Sequence, residues 1–93
     1  MQGVLSFVRM FDTKHFTEML NERGISLEMV DSAMNAPDQT EEKENGTKHY
    51  LKKFDSAGGR WLRVVVNMKS DPPRRITVFF DRRLRREQNE NKS

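Results

Sequence analysis

Apolar and polar positions divide this chain into two helical stripes followed by a series of alternating strands. Val4 to Phe11 (VLSFVRMF) is a short apolar run rich in strand formers and predicts a first strand. Asp12 or Thr13 is placed to cap the helix that follows. In that helix Phe16, Met19 and Leu20 lie at i, i+3 and i+4 and make one buried stripe. Gly24 suits the left-handed position that ends it. Ser26 caps a second helix, with Leu27, Val30 and Met34 as its core face, and Pro37 stops it. The polar section 38–45 (DQTEEKEN) leads into Asn45-Gly46, a hairpin signal that pairs part of it with Thr47–Phe54. Ser56-Ala57-Gly58-Gly59 is a second turn. From Arg60 to Met68 the chain alternates: Leu62, Val64, Val66 and Met68 face one way, Trp61, Arg63, Val65 and Asn67 the other. After the turn Ser70-Asp71-Pro72-Pro73, Arg75 to Phe80 forms the last strand, with Ile76, Val78 and Phe80 opposed to Thr77 and Phe79.

This order is strand, helix, helix and then a strand meander. Strands joined by short turns pair antiparallel, and helical stripes need a sheet face to cover. The expectation is a small α+β domain: an N-terminal strand and two helices on an antiparallel sheet of about four strands. Residues 1–86 form a single domain, and residues 87–93 form a polar tail without core residues. A chain of 93 residues supports one modest core. Its 34% hydrophobic and 33% charged content is polar, but six Phe, six Met, one Trp and one Tyr argue against disorder. Cysteine is absent, which excludes disulfides, thiolate chemistry and a Cys-based zinc site. Neither a membrane-length apolar run nor a signal-peptide pattern is present, so the expectation is a cytoplasmic protein with no membrane partner.

Charge changes the picture. Residues 46–93 carry thirteen Lys and Arg against five Asp and Glu, net +8, whereas residues 1–45 carry four against nine, net −5. Such asymmetry points to a polyanionic partner such as RNA, or to cations that keep strand edges soluble. Lys48 and Lys52 lie on one strand, Arg60 and Arg63 on the next, Arg75 on the last, and Arg82 and Arg83 just beyond it. If the strands are neighbours, these cations converge. They would then bind a nucleic-acid backbone and stabilise charge developing on a phosphate. Tyr50 adds a stacking surface beside them; Trp61 reads either as a core residue or as a second stacking surface. The two histidines, His15 and His49, lie in no metal-binding pattern, and no cofactor motif is present. Each reads as an ordinary hydrogen-bonded residue or, for His49, as a general acid or base. Glu41, Glu42 and Glu44 read as solvated.

His15 opens a helix ending in Glu22-Arg23-Gly24-Ile25-Ser26. The next helix ends in Asn35-Ala36-Pro37-Asp38. After it come the strand around Tyr50, then Trp61-Leu62-Arg63-Val64-Val65-Val66, then Ile76-Thr77-Val78-Phe79-Phe80. This ordered set, spanning roughly residues 13–82, resembles a small bacterial domain-of-unknown-function family related to RelE/BrnT-like toxins. The resemblance implies a RelE-like fold with a strongly bent antiparallel sheet. It also implies a metal-independent ribonuclease acting as a toxin and restrained by an acidic antitoxin. The positions matching the outline are His15, Arg23, Tyr50 and Arg63. The active-face candidates are therefore His15 and Arg63, then His49 and Tyr50. RelE-type toxins usually carry a catalytic Tyr or His near the C-terminus, and no Tyr or His follows Tyr50 here.

Overall fold

The computed structural model describes residues 11–84. Of the expected strand Val4–Phe11 only Phe11 lies within them. The tail 87–93 lies outside, as do Arg85 and Arg86. Strand β1 (Phe11–Asp12) leads into helix α1 (Lys14–Arg23). Of the two capping candidates it is Thr13 that caps, its Oγ1 accepting from Phe16 N at 3.1 Å. Asp12 is occupied in β1. Gly24, at φ 65°, supplies the left-handed residue that closes the helix. Ser26 caps helix α2 (Leu27–Asn35) through Met29 N. The α2 stripe departs from expectation: Val30 and Ala33 are fully buried and Met34 packs beside them, but Leu27 is exposed. Helical side chains lean toward the N-terminus, so a side chain in the first turn projects past the packed turns.

Four strands follow: β2 (Gln39–Glu42), β3 (Thr47–Phe54), β4 (Arg60–Asn67) and β5 (Arg74–Phe80), with a 3-10 turn at Asp55–Ala57 between β3 and β4. The sheet order is β1-β5-β4-β3-β2. It holds five strands among the described residues, not four. It is mixed rather than antiparallel, because β1 pairs parallel to β5 while every other pair is antiparallel. The parallel pair arises because β1 precedes the helices and returns to the sheet beside its last strand, an arrangement that no short turn could make.

Both helices cover one face of this sheet. Phe16, Ile25, Val30 and Ala33 meet Leu62, Val64, Val66 and Val78 in the core, as the alternation of β4 requires. Met68 lies beyond the end of β4 and is exposed. A bulge between β4 and β5 leaves Val65 paired with Thr77 and Val66 with Arg75. The extra residue turns Arg75 onto the helix face. There its guanidinium holds the Asp12 carboxylate at 2.6 and 3.1 Å, lies 3.8 Å from Asp31 and stands over the Phe16 ring. Arg75 thus fastens β1 and both helices to β5. Among the described residues no helix is long and apolar enough to cross a membrane.

Candidate functional site

The opposite sheet face carries the chemistry. Pairing of β2 with β3 sets Glu41 across from His49, and pairing of β3 with β4 sets Leu51 across from Arg63. Glu41, His49 and Arg63 therefore project from three adjacent strands on the same side. Arg63 is the hub and is only 5% exposed. Its Nε donates to Asp81 Oδ2 at 2.8 Å, and its Nη2 lies 2.8 Å from the same oxygen. Its Nη1 donates to Glu41 Oε1 at 3.0 Å and to His49 Nδ1 at 2.7 Å. A cation that is nearly buried needs this many partners, because desolvation without them costs several kcal/mol. Lys43 adds a second cation to Glu41 Oε1 at 3.1 Å.

These bonds fix the state of each group. Thr47 Oγ1 gives its proton to Asn45 Oδ1 at 2.7 Å, so it accepts from His49 Nε2 at 3.3 Å. Arg63 can only donate, so His49 Nδ1 must accept. The neutral imidazole protonated at Nε2 satisfies both neighbours. Burial, and then the charges of Arg63 and Lys43, hold its pKa below the ordinary 6.5. Hydrogen bonds from Arg63 and then Lys43 keep Glu41 ionised below the ordinary 4.5. For Asp81, burial works to raise the carboxyl. Hydrogen bonds from the Arg63 side chain and the Arg83 backbone outweigh it, so its pKa lies below 3.8.

Depression of the His49 pKa has a sign that can be measured. The unfolded chain takes up a proton near 6.5 that the folded chain refuses, so stability is complete above that pH and declines as pH falls toward the lower folded value. Thermal melts between about pH 7 and about pH 5 should show this decline in the wild type and a smaller one in His49→Gln. An identical decline in both proteins would contradict the assigned neutral state.

Together these side chains line an open cleft of about 320 Å³. Phe79, across from Arg63 on β5, and Leu84 form its apolar part, and Arg83 stands at its rim, mostly exposed. Asp81 joins floor to rim: Oδ2 holds Arg63, while Oδ1 accepts from Arg83 N at 3.0 Å and begins the helical turn 82–84. Among the described residues no group of three or more His, Asp or Glu is placed to hold a metal ion.

The expected residues do not all meet here. His49 and Arg63 do. Tyr50, adjacent to His49 on β3, faces the helices and packs on the core, as strand alternation demands. His15 lies on α1, with Nε2 3.2 Å from Thr77 Oγ1, and does not line the cleft. Nor do the cations form a single basic hollow. Lys48 lies over the Tyr50 ring, and Lys52 donates to Ala36 O at the end of α2. Arg60 donates to Ala57 O and stacks on Phe80, and Arg75 is consumed by Asp12. All four lie on the helix face, whereas Arg63 lies on the other: alternation puts Lys48, Lys52 and Arg60 there, and the bulge puts Arg75 there. Arg83 is at the cleft, and Arg82 is exposed beside it. Trp61 is buried and offers no stacking surface, and its Nε1 has no hydrogen-bond partner among the described residues. Glu41, Lys43, Phe79, Asp81 and Leu84 are the site residues that sequence reasoning missed.

Residues 13–80 match the family model described as domain of unknown function DUF4258. No curated protein and no solved structure matches. The comparison thus agrees with the resemblance at the level of an uncharacterised domain family, and nothing in it links that family to RelE- or BrnT-like toxins.

Proposed function

We propose, the chain belonging to the DUF4258 family and that family carrying no assigned activity, that the cleft binds RNA and cleaves it by attack of a 2′-oxygen on the adjacent phosphate. The observation that carries this reading is the joined Glu41–Arg63–His49 array opening into a cleft with Lys43 and Arg83 at its margin. Metal-free phosphoryl transfer needs a base, a hydrogen-bond donor and fixed positive charge within reach of one phosphate. This array offers all three. Both bonds to Glu41 fall on Oε1, so Oε2 is the atom to take the 2′-hydroxyl proton. The 2′-oxygen–phosphorus bond forms and the phosphorus–5′-oxygen bond breaks. The departing 5′-oxygen takes its proton from water in the open cleft, and Glu41 later returns its own to solvent. Lys43 and Arg83 offset the charge that grows on the phosphoryl oxygens. Neutral His49 serves as a hydrogen-bond donor through Nε2, whose bond to Thr47 is long enough to be exchanged. Arg63 acts as a positioning residue, since Asp81 holds the other side of its guanidinium.

One observation favours a second reading, a non-catalytic RNA-binding module. Arg63 is held by Asp81, Glu41 and His49 and is nearly buried, so the central cation of the cleft is kept away from any phosphate. Incubating the purified protein with end-labelled single-stranded RNA in excess EDTA separates the two. Fragments ending in a 2′,3′-cyclic phosphate support cleavage. Salt-sensitive binding without fragments supports the second reading, and neither result removes both. If the cleaved RNA is cellular, the RelE-like, cytoplasmic toxin role with an acidic antitoxin follows as the finer form of the proposal. Its mark is growth arrest on expression that a cleavage-dead variant lacks.

A further inference from the structure

The cleft lining is of two kinds. Glu41 and Lys43 come from the β2 side of the sheet; Phe79 on β5 and Leu84 just past it make an apolar wall, with Arg83 next to Leu84 in the chain. Phe79 is half-buried on the sheet face opposite the helices and belongs to no part of the helix-side core. The chemistry proposed above gives that wall no task. A nucleotide has the matching division: an anionic phosphate on one side and a base with a flat apolar face on the other. We propose that Phe79 and Leu84 form a base-binding subsite for an unpaired nucleotide whose phosphate lies toward Lys43 and Arg83. This rests on the RNA reading above and adds the substrate class, single-stranded RNA. A base within a duplex is stacked on both faces and cannot reach an aromatic side chain set inside a cleft. Cations alone would favour the duplex, whose phosphates are the more densely spaced. A preference for single strands therefore has to come from the apolar wall.

The test uses 2′-O-methyl oligoribonucleotides, which a 2′-oxygen mechanism cannot cut, bound to the full chain at low salt. The wild type should hold the single strand at least tenfold more tightly than the matched duplex. An oligonucleotide series with one abasic position each should show one position at which affinity falls roughly 5- to 150-fold, the range of a single base–aromatic stack. This scan needs no protein variant. Phe79→Leu, which keeps the apolar volume, should flatten it without lowering the melting temperature by more than a few degrees. An abasic scan already flat in the wild type, or equal affinity for duplex and single strand, overturns the subsite while leaving RNA binding in place. Absence of binding to either form at low salt overturns both.

Discussion

Replacing Arg63 with alanine should destabilise the protein by about 3–5 kcal/mol, the largest effect of any single substitution at the site. The loss is the desolvated charge left behind rather than the contacts removed. Asp81 is 4% exposed and kept ionised by two guanidinium bonds to one of its oxygens. Without them only Arg83, among the described residues, still holds it, through Oδ1, and the buried Oδ2 must stay charged without a partner or the carboxyl must take up a proton. For a domain of this size, each kcal/mol shifts the midpoint of thermal unfolding by about 4–8 °C, so the drop should be tens of degrees. Glu41 adds little to this figure, because its pair with Arg63 lies partly in water and exposed pairs are worth about 1 kcal/mol or less. The double variant Arg63→Met, Asp81→Leu removes both charges and should regain most of the loss. A residual deficit of about 1 kcal/mol should remain, since Asp81 Oδ1 also caps the turn 82–84. Calorimetry or denaturant unfolding decides it. An Arg63→Ala protein within about 1 kcal/mol of the wild type would show that Asp81 does not need its partner.

The elements were legible and the site was only half so, for the same physical reason. Thr13, Gly24 and Ser26 announce helix ends through local hydrogen bonding and backbone freedom, and a local signal survives folding. The alternation Leu62-Arg63-Val64-Val65-Val66 correctly divided β4 into a core face and a site face. The same alternation separates Lys48, Lys52 and Arg60 from Arg63, so the single basic hollow was excluded by a pattern already visible. Glu41 was harder to read, because its stretch has the composition of a solvated loop. What places it is loop length. A two-residue Asn45-Gly46 turn would set Glu42 across from His49. In the fold Lys43 N bonds Thr47 O, Gly46 takes φ 89°, and the register moves by one residue to bring Glu41 there instead. By charge alone Arg63 reads as one of a phosphate-binding set, yet an Arg embedded among apolar strand residues has the pattern of a buried cation that needs carboxylates. Nothing local says that Asp81, just past the end of β5, is one of them. The parallel pairing of β1 and the bulge that turns Arg75 inward are likewise products of tertiary return rather than of neighbouring residues.

If Glu41 is the base, Glu41→Gln should slow RNA cleavage by about 10²- to 10⁴-fold, the usual span for loss of a positioned proton acceptor. Stability should change by less than about 1 kcal/mol, since Glu41 is partly exposed and Arg63 keeps Asp81. That contrast separates it from Arg63→Ala, which would lower activity by unfolding the chain. The pH profile then distinguishes Glu41 from His49 as the acceptor. Glu41 acts only when ionised, and its bonds to Arg63 and Lys43 keep it ionised to below 4.5. Wild-type cleavage should therefore stay level from about pH 7 to about pH 5 and fall only beneath that range. A His49 acceptor would also be neutral and competent at pH 7, because burial and the neighbouring cations lower its pKa. Such an acceptor would keep its own acidic limb after Glu41 is replaced. It would also have to give up the bond from Arg63 before its Nδ1 lone pair could accept a proton. An acidic limb already present above about pH 5 and retained in Glu41→Gln would transfer the base role to His49. A Glu41→Gln protein as fast as the wild type at pH 7 would sink the carboxylate mechanism outright.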